Sequence, residues 1–141
     1  MEKFEEILKL VVSKIPDIKF ALLGTLNLRL QGIGVNPTDI DFLTDDEGIE
    51  KASQIFNSKV SKNEIGYLET IFEINGIEVH FVSDSQNPVR PSNFMDYAVL
   101  IEKNGVKIPF MSLGAELEAY RKMNRDKDKE KIKLLEEKLR K

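Results

Sequence analysis

The chain has no cysteine and a single histidine, His80. Without thiols there can be no disulfide framework, no thiol nucleophile and no thiolate metal site, and one imidazole excludes a histidine-cluster zinc centre. Any metal must rest mostly on carboxylates. No apolar run approaches the ~20 residues of a membrane span, and Glu2, Glu5 and Glu6 beside Lys3 break the basic-then-apolar pattern of a secretory signal. A cytoplasmic protein that does not engage membranes is therefore expected. A hydrophobic content of 41% excludes disordered and fibrous classes. The 141 residues are close to the roughly 150 of a typical domain and predict one domain over 1–141, with a core over 1–110 and a helical pair over 111–141.

Charge is unevenly spread. Residues 121–141 carry ten Lys/Arg against five Asp/Glu, so the last segment is +5 and the rest is −8. A basic segment of this kind attracts phosphate-rich partners, or simply forms a solvated Lys/Glu helix face.

Phe4, Ile7, Leu8, Val11, Val12 and Ile15 recur at helical spacing before Pro16, which predicts an amphipathic helix over 2–15. Ile18 to Leu23 reads as a buried strand ending at Gly24, and 25–31 as a short helix broken by Gly32 and Gly34. A strand from Thr38 to Leu43 follows, then a helix to about Asn57 opened by Asp45, Asp46 and Glu47, with Ile49, Ala52 and Phe56 inward. Asn75-Gly76 and Asn104-Gly105 each mark a two-residue hairpin turn. Counting back from the first pairs Ile74 with Ile77, Glu73 with Glu78, Phe72 with Val79, Ile71 with His80 and Thr70 with Phe81. Ile74, Ile77, Phe72, Val79 and Phe81 then form the core face, and His80 lies on the other face with Glu73 and Glu78. The second turn pairs Glu102 with Lys107 and Ile101 with Ile108. Residues 84–95, with Pro88 and Pro91, read as irregular, and Arg90 within them as a surface charge. Ser112 opens a helix with Leu113, Leu117 and Tyr120 on one side, and Asp126 or Asp128 opens another with Ile132, Leu135 and Leu139 inward. The expected class is α+β, a mixed sheet with helices mainly on one face, the other face left free, and two C-terminal helices.

Asp39 and Asp41 are two apart on a strand, so both carboxylates project from one face with their Cα atoms ~7 Å apart. Such a pair repels unless a cation or proton lies between. Magnesium, which takes one or two carboxylates together with water and phosphate oxygens, suits it; a solvated acidic strand end is the plainer reading. Just upstream, Gly24-Thr25 turns a strand into a helix, where backbone N–H groups and the Thr hydroxyl can face a phosphate, or Thr can serve simply as a cap. Asp45 and Asp46 lie past the strand and read as caps.

The stretch L-L-G-T-L-N-L-R-L-Q-G-I-G-V-N-P-T-D-I-D-F-L-T-D, Leu22 to Asp45, resembles the signature of the nucleotidyltransferase superfamily related to DNA polymerase β. Its thirteen residues between Thr25 and Asp39 exceed the spacing of the minimal members and are closer to antibiotic-type and AbiEii-like ones. I-P-F-M-S-L and K-M-N-R-D-K-D-K-E-K-I-K-L-L resemble the closing two-helix module of such proteins, with its Arg-x-Lys-Asp motif. The two stretches span about two fifths of the chain.

The resemblance implies that Gly24 and Thr25 hold nucleoside triphosphate phosphates, that Asp39 and Asp41 bind Mg2+, and that an acceptor attacks the α-phosphate with release of pyrophosphate. Arg29, on the helix after the turn, is a candidate for a phosphate contact, and Lys122, Arg125 and Lys127, at the turn between the last helices, are candidates for triphosphate or acceptor contacts, or for helix capping. Active members commonly carry a third acid on the next strand. Here I-E-V-H-F places His80 there, where a neutral imidazole could act as general base, with Glu78 facing the same way. Three readings stand. The first is a magnesium-dependent nucleotidyltransferase whose acceptor is a small molecule, an RNA or a protein. The second is a degenerate nucleotide- or RNA-binding module that has lost its third ligand. The third is one component of a two-protein, toxin–antitoxin-like system. A homodimer mate is one way to complete an open cleft.

Overall fold

The computed structural model describes residues 1–140. Helix α1 (Glu2–Ser13) buries Ile7, Leu8 and Val11, the stripe that its periodicity defines, and the turn after it buries Ile15. Strand β1 (Phe20–Leu23) is buried at all four positions. It has packing on both faces, which is why its sequence is continuously apolar rather than alternating. Helix α2 (Gly24–Leu30) starts at the very next residue. Strand β2 (Asp39–Thr44) leads to helix α3 (Asp46–Phe56), where the Asp45 carboxylate accepts from the Gly48 N–H at 2.7 Å and caps the first turn. Strands β3 (Val60–Lys62), β4 (Leu68–Ile74), β5 (Ile77–Ser83), β6 (Ala98–Lys103) and β7 (Val106–Met111) follow, and helices α4 (Leu113–Met123) and α5 (Lys129–Leu139) close the chain.

The strands form one seven-stranded sheet in the order β3-β4-β5-β2-β1-β7-β6. β2 runs parallel to β5 and β1 parallel to β7, while β1 and β2 are antiparallel, so the sheet is mixed. Both hairpins have the register that their Asn-Gly turns predict, with Ile71 opposite His80 and Glu102 opposite Lys107. Asn75 and Asn104 take the left-handed conformation such turns require.

One face of the sheet meets α1 and α3 across the main core. There Phe42 stacks on Phe81 at 4.7 Å between centroids, and Phe56 on Phe72 at 4.3 Å. Burying these rings supplies much of the driving force for folding. The opposite face is not wholly free. Around Ala21, Leu23, Leu43 and Met111 it is covered by Phe94, fully buried in a 3-10 turn (Phe94–Tyr97) that ends the irregular segment. A third cluster, Leu28, Ile33, Leu117, Tyr120 and Leu135, joins α2 to α4 and α5.

Two further expectations change. β3 is an edge strand not foreseen from the sequence; Val60-Ser61-Lys62 is too short and polar to show alternation, and it is held by pairing to β4. Leu139 is exposed, because the last turn of α5 stands outside the cluster that holds Leu135. Among the described residues no helix is long and apolar enough to cross a membrane.

Candidate active site

The sheet face left open by Phe94 carries the polar side chains. On it, β2 contributes Asp39 and Asp41, β5 contributes Glu78 and His80, and β4 contributes Glu69, Ile71 and Glu73, since side chains alternate along each strand. The register sets Asp41 opposite His80 and Leu23, and Asp39 opposite Glu78 and then Glu73. Ile40 and Phe42 point the other way and are fully buried. The strand period thus anchors the acidic pair through the core.

The Gly24 turn comes against Asp41. Gly24 has φ +76°, and a Cβ there would lie 2.6 Å from Asp41 Oδ2, so the position accepts only glycine without displacing the carboxylate. Burial pushes the Asp41 carboxyl up to about 7, and the charges of Asp39 and Glu116 push in the same direction, while His80 and Arg90 pull back. Ionising Asp41 therefore costs more than it does for an exposed carboxyl unless a cation lies beside it. Two hard carboxylates on one strand suit a divalent cation such as Mg2+, which completes its shell with water and substrate oxygens. Among the described residues no group of three or more acidic or histidine side chains forms a metal cluster, so the pair would act without a third protein ligand.

His80 sits between two carboxylates, its Nε2 2.9 Å from Glu69 Oε1 and its Nδ1 3.7 Å from Asp41 Oδ1. Glu78 shares the face but is exposed. Tyr67, just before β4, is half-buried; burial and the Glu69 charge raise its phenol, and Asn63 and Arg125 partly offset this.

Arg90 is not a surface charge. It is buried, with Nη1 2.6 Å from Oε1 of Glu116, a carboxylate with no exposure at all. Oε2 of Glu116 accepts from the Gly24 N–H at 2.8 Å and from Asn27 Nδ2 at 2.9 Å, and Asn27 also donates to the Met111 carbonyl. The Gly24 amide, expected to face a phosphate, is therefore held by an internal anion. Thr25, the next residue of the turn, is half-buried like Gly24.

The remaining basic candidates are dispersed. Arg29 donates to the Val35 carbonyl at 3.2 Å and to Asn36 Oδ1 at 3.3 Å, which pins the loop before β2. Lys122 and Lys127 are exposed. Arg125 forks onto buried Asp128, Nε to Oδ2 at 2.6 Å and Nη2 to Oδ1 at 2.9 Å, so the first and last residues of the Arg-x-Lys-Asp motif bind each other. Arg125 is still 41% exposed and lies close enough to act on the Tyr67 phenol.

Sequence reasoning missed Glu69, Tyr67, Arg90, Glu116 and Asn27. Glu69 was within reach, because one more step of the hairpin register puts it on the His80 face. Glu116 and Arg90 carry no local signal; each is polar in sequence and acquires its partner only through the fold.

No protein-family profile and no curated protein sequence matches the chain. Solved structures do match. One is a "putative nucleotidyltransferase" from Thermotoga maritima, 26% identical, with a TM-score of 0.77 over 94% of this chain and 91% of that one. Another is ANT(2″)-Ia in complex with adenylyl-2″-tobramycin, 13% identical, with a TM-score of 0.70 over 97% of this chain and 90% of that one. The solution structure of the antibiotic-resistance factor ANT(2″)-Ia matches at 13% identity and a TM-score of 0.69, over 98% and 85% of the two chains. The sheet order, the acidic pair on β2 and these likenesses agree: the chain has the fold of the nucleotidyltransferase superfamily.

Proposed function

We propose that the protein is a magnesium-dependent nucleotidyltransferase that moves a nucleoside monophosphate group from a nucleoside triphosphate to an acceptor and releases pyrophosphate. The observation that carries this reading is the packing of the Gly24 turn against Asp41, which brings the strand-borne acidic pair to the start of α2. Asp39 and Asp41 would hold Mg2+, which when bound neutralises charge developing on the transferred phosphoryl group. The Thr25 hydroxyl would donate to the triphosphate. Lys122 and the exposed part of Arg125 offer positive charge from the α4–α5 side, whereas Arg29 serves the loop that delivers β2. The acceptor's oxygen bonds to the α-phosphorus, the bond from that phosphorus to the bridging oxygen breaks, and pyrophosphate leaves. His80, in the place of a third acid, takes the acceptor's proton.

Titration calorimetry with each nucleoside triphosphate, with and without Mg2+, on the wild type and on Asp39→Ala/Asp41→Ala, tests this reading. Binding that needs Mg2+ and vanishes in the variant is expected. A second reading, nucleotide binding without turnover, is favoured by the missing third carboxylate among the described residues. Binding with no pyrophosphate release against any acceptor would support it, and turnover only on mixing with a cognate protein would point to a two-component system.

A further inference from the structure

His80 is the only imidazole of the chain, and its two nitrogens have different surroundings. Nε2 is 2.9 Å from Glu69 Oε1, within hydrogen-bond range, while Nδ1 is 3.7 Å from Asp41 Oδ1, beyond it. The sheet builds this arrangement. His80 stands opposite Ile71 on β4, so Glu69, two residues earlier on the same face, is its diagonal neighbour, and Asp41 is directly across on β2. The side chains of Glu69, His80 and Asp41 are 18%, 23% and 26% exposed, open enough for a small group to reach them yet shielded from bulk water.

An ionised carboxylate only accepts, so the nitrogen facing Glu69 carries the hydrogen, and in the neutral ring Nδ1 is then bare. Resting on the nucleotidyl-transfer reading, we propose that Glu69 is a positioning residue: its carboxylate holds the Nε2–H of His80 and so presents the Nδ1 lone pair, beside Asp41, to the attacking group. The acceptor's O–H bond breaks as its oxygen bonds to the α-phosphorus, and its proton passes to Nδ1. The electron pair of the broken phosphorus–oxygen bond leaves with pyrophosphate. Glu69 stays a carboxylate throughout and touches neither acceptor nor nucleotide. A carboxylate at position 80 would need no such help, since either of its oxygens can take a proton. An imidazole has one bare nitrogen, and something must decide which.

With one histidine in the chain, two-bond 1H–15N spectra of the 15N-labelled protein, free of metal and nucleotide, read the tautomer without overlap. At a pH where the ring is neutral, the wild type is expected to carry its hydrogen on Nε2 with Nδ1 bare. Glu69→Ala should shift both ring nitrogens toward the mixture seen in free histidine. Glu69→Gln, whose amide oxygen can still accept from Nε2–H, should keep the wild-type pattern, and Glu73→Ala, opposite Glu78, should leave it unchanged. A wild-type ring protonated on Nδ1, or unchanged ring nitrogens in folded Glu69→Ala, overturns the proposal.

Pyrophosphate release from Mg·ATP in the presence of an acceptor that supports turnover by the wild type supplies the second readout. Glu69→Ala should lower kcat about tenfold, less than the roughly 10²–10⁴ that the positioned base itself contributes, at nearly constant KM for ATP. A raised KM with kcat intact overturns the role. Wild-type protein with no turnover against any acceptor, whether small molecule, RNA or protein, refutes the transfer reading and the role together, while the tautomer, measured without nucleotide, is decided separately.

Discussion

Arg90→Met should be among the most damaging single substitutions in the protein, and Glu116→Gln should partly undo it. Arg90 Nη1 is 2.6 Å from Glu116 Oε1, and the two side chains are 7% and 0% exposed. Removing the guanidinium leaves a carboxylate in the interior with one oxygen unpartnered and the other still held by Gly24 N–H and Asn27 Nδ2. Breaking a buried pair on one side costs about 3–5 kcal/mol, a large share of the 5–15 kcal/mol typical of whole domains. With a urea m-value of about 2 kcal/mol per molar, the unfolding midpoint should fall by roughly 1.5–2.5 M. In the double variant Arg90→Met/Glu116→Gln the buried charge is gone, and the amide oxygen can still accept from Gly24 and Asn27. About 2 kcal/mol or more should return, within the range for relieving an uncompensated buried charge. Equilibrium urea unfolding of the four proteins, closed as a double-mutant cycle, measures both numbers. An Arg90→Met protein within about 1 kcal/mol of wild type, or no recovery on adding Glu116→Gln, would refute the assignment of Arg90 as the countercharge of Glu116.

Three further outcomes are expected. Gly24→Ala should cost about 1–2 kcal/mol from its positive φ alone, and its Cβ should also drive the Asp41 carboxylate aside and abolish Mg2+-dependent nucleotide binding, read by unfolding and by calorimetry. Asp41 is held up near 7 by burial, so between about pH 4 and 7 the folded state binds the extra proton and Asp41's contribution to stability is lost as pH rises. Asp41→Asn should therefore stabilise the metal-free protein by about 2–4 kcal/mol at pH 8 and by nothing at pH 4, and equal effects at both pH values would contradict the cause given. Arg125→Lys, which gives up the fork onto buried Asp128, should destabilise by about 1–2 kcal/mol, whereas Lys122→Ala should leave unfolding unchanged and lower only triphosphate affinity.

Much of this was legible in the sequence because it rests on short-range rules. The Asn75-Gly76 turn fixed the register that puts His80 across from Ile71, and strand alternation put Asp39 and Asp41 on one face with Ile40 and Phe42 in the core. The charges that organise the site were not legible. Arg90 lies in a segment with no periodicity, and nothing near it in sequence announces a partner on α4. Gly24 and Glu116 are 92 residues apart, so the loss of the Gly24 amide to an internal carboxylate is visible only once the sheet brings β1 beside β7 and α4 beyond it. Tertiary neighbours also decided Phe94, whose burial covers the part of the sheet face around Leu23 and Leu43 that helix count alone left open.

The central claim is that Asp39 and Asp41 form a cation-dependent nucleotide site, and titration calorimetry with nucleoside triphosphates tests it most directly. The account predicts binding with Mg2+, none with chelator, and none in folded Asp39→Ala/Asp41→Ala. Tight binding that ignores Mg2+ or survives the double substitution would contradict it.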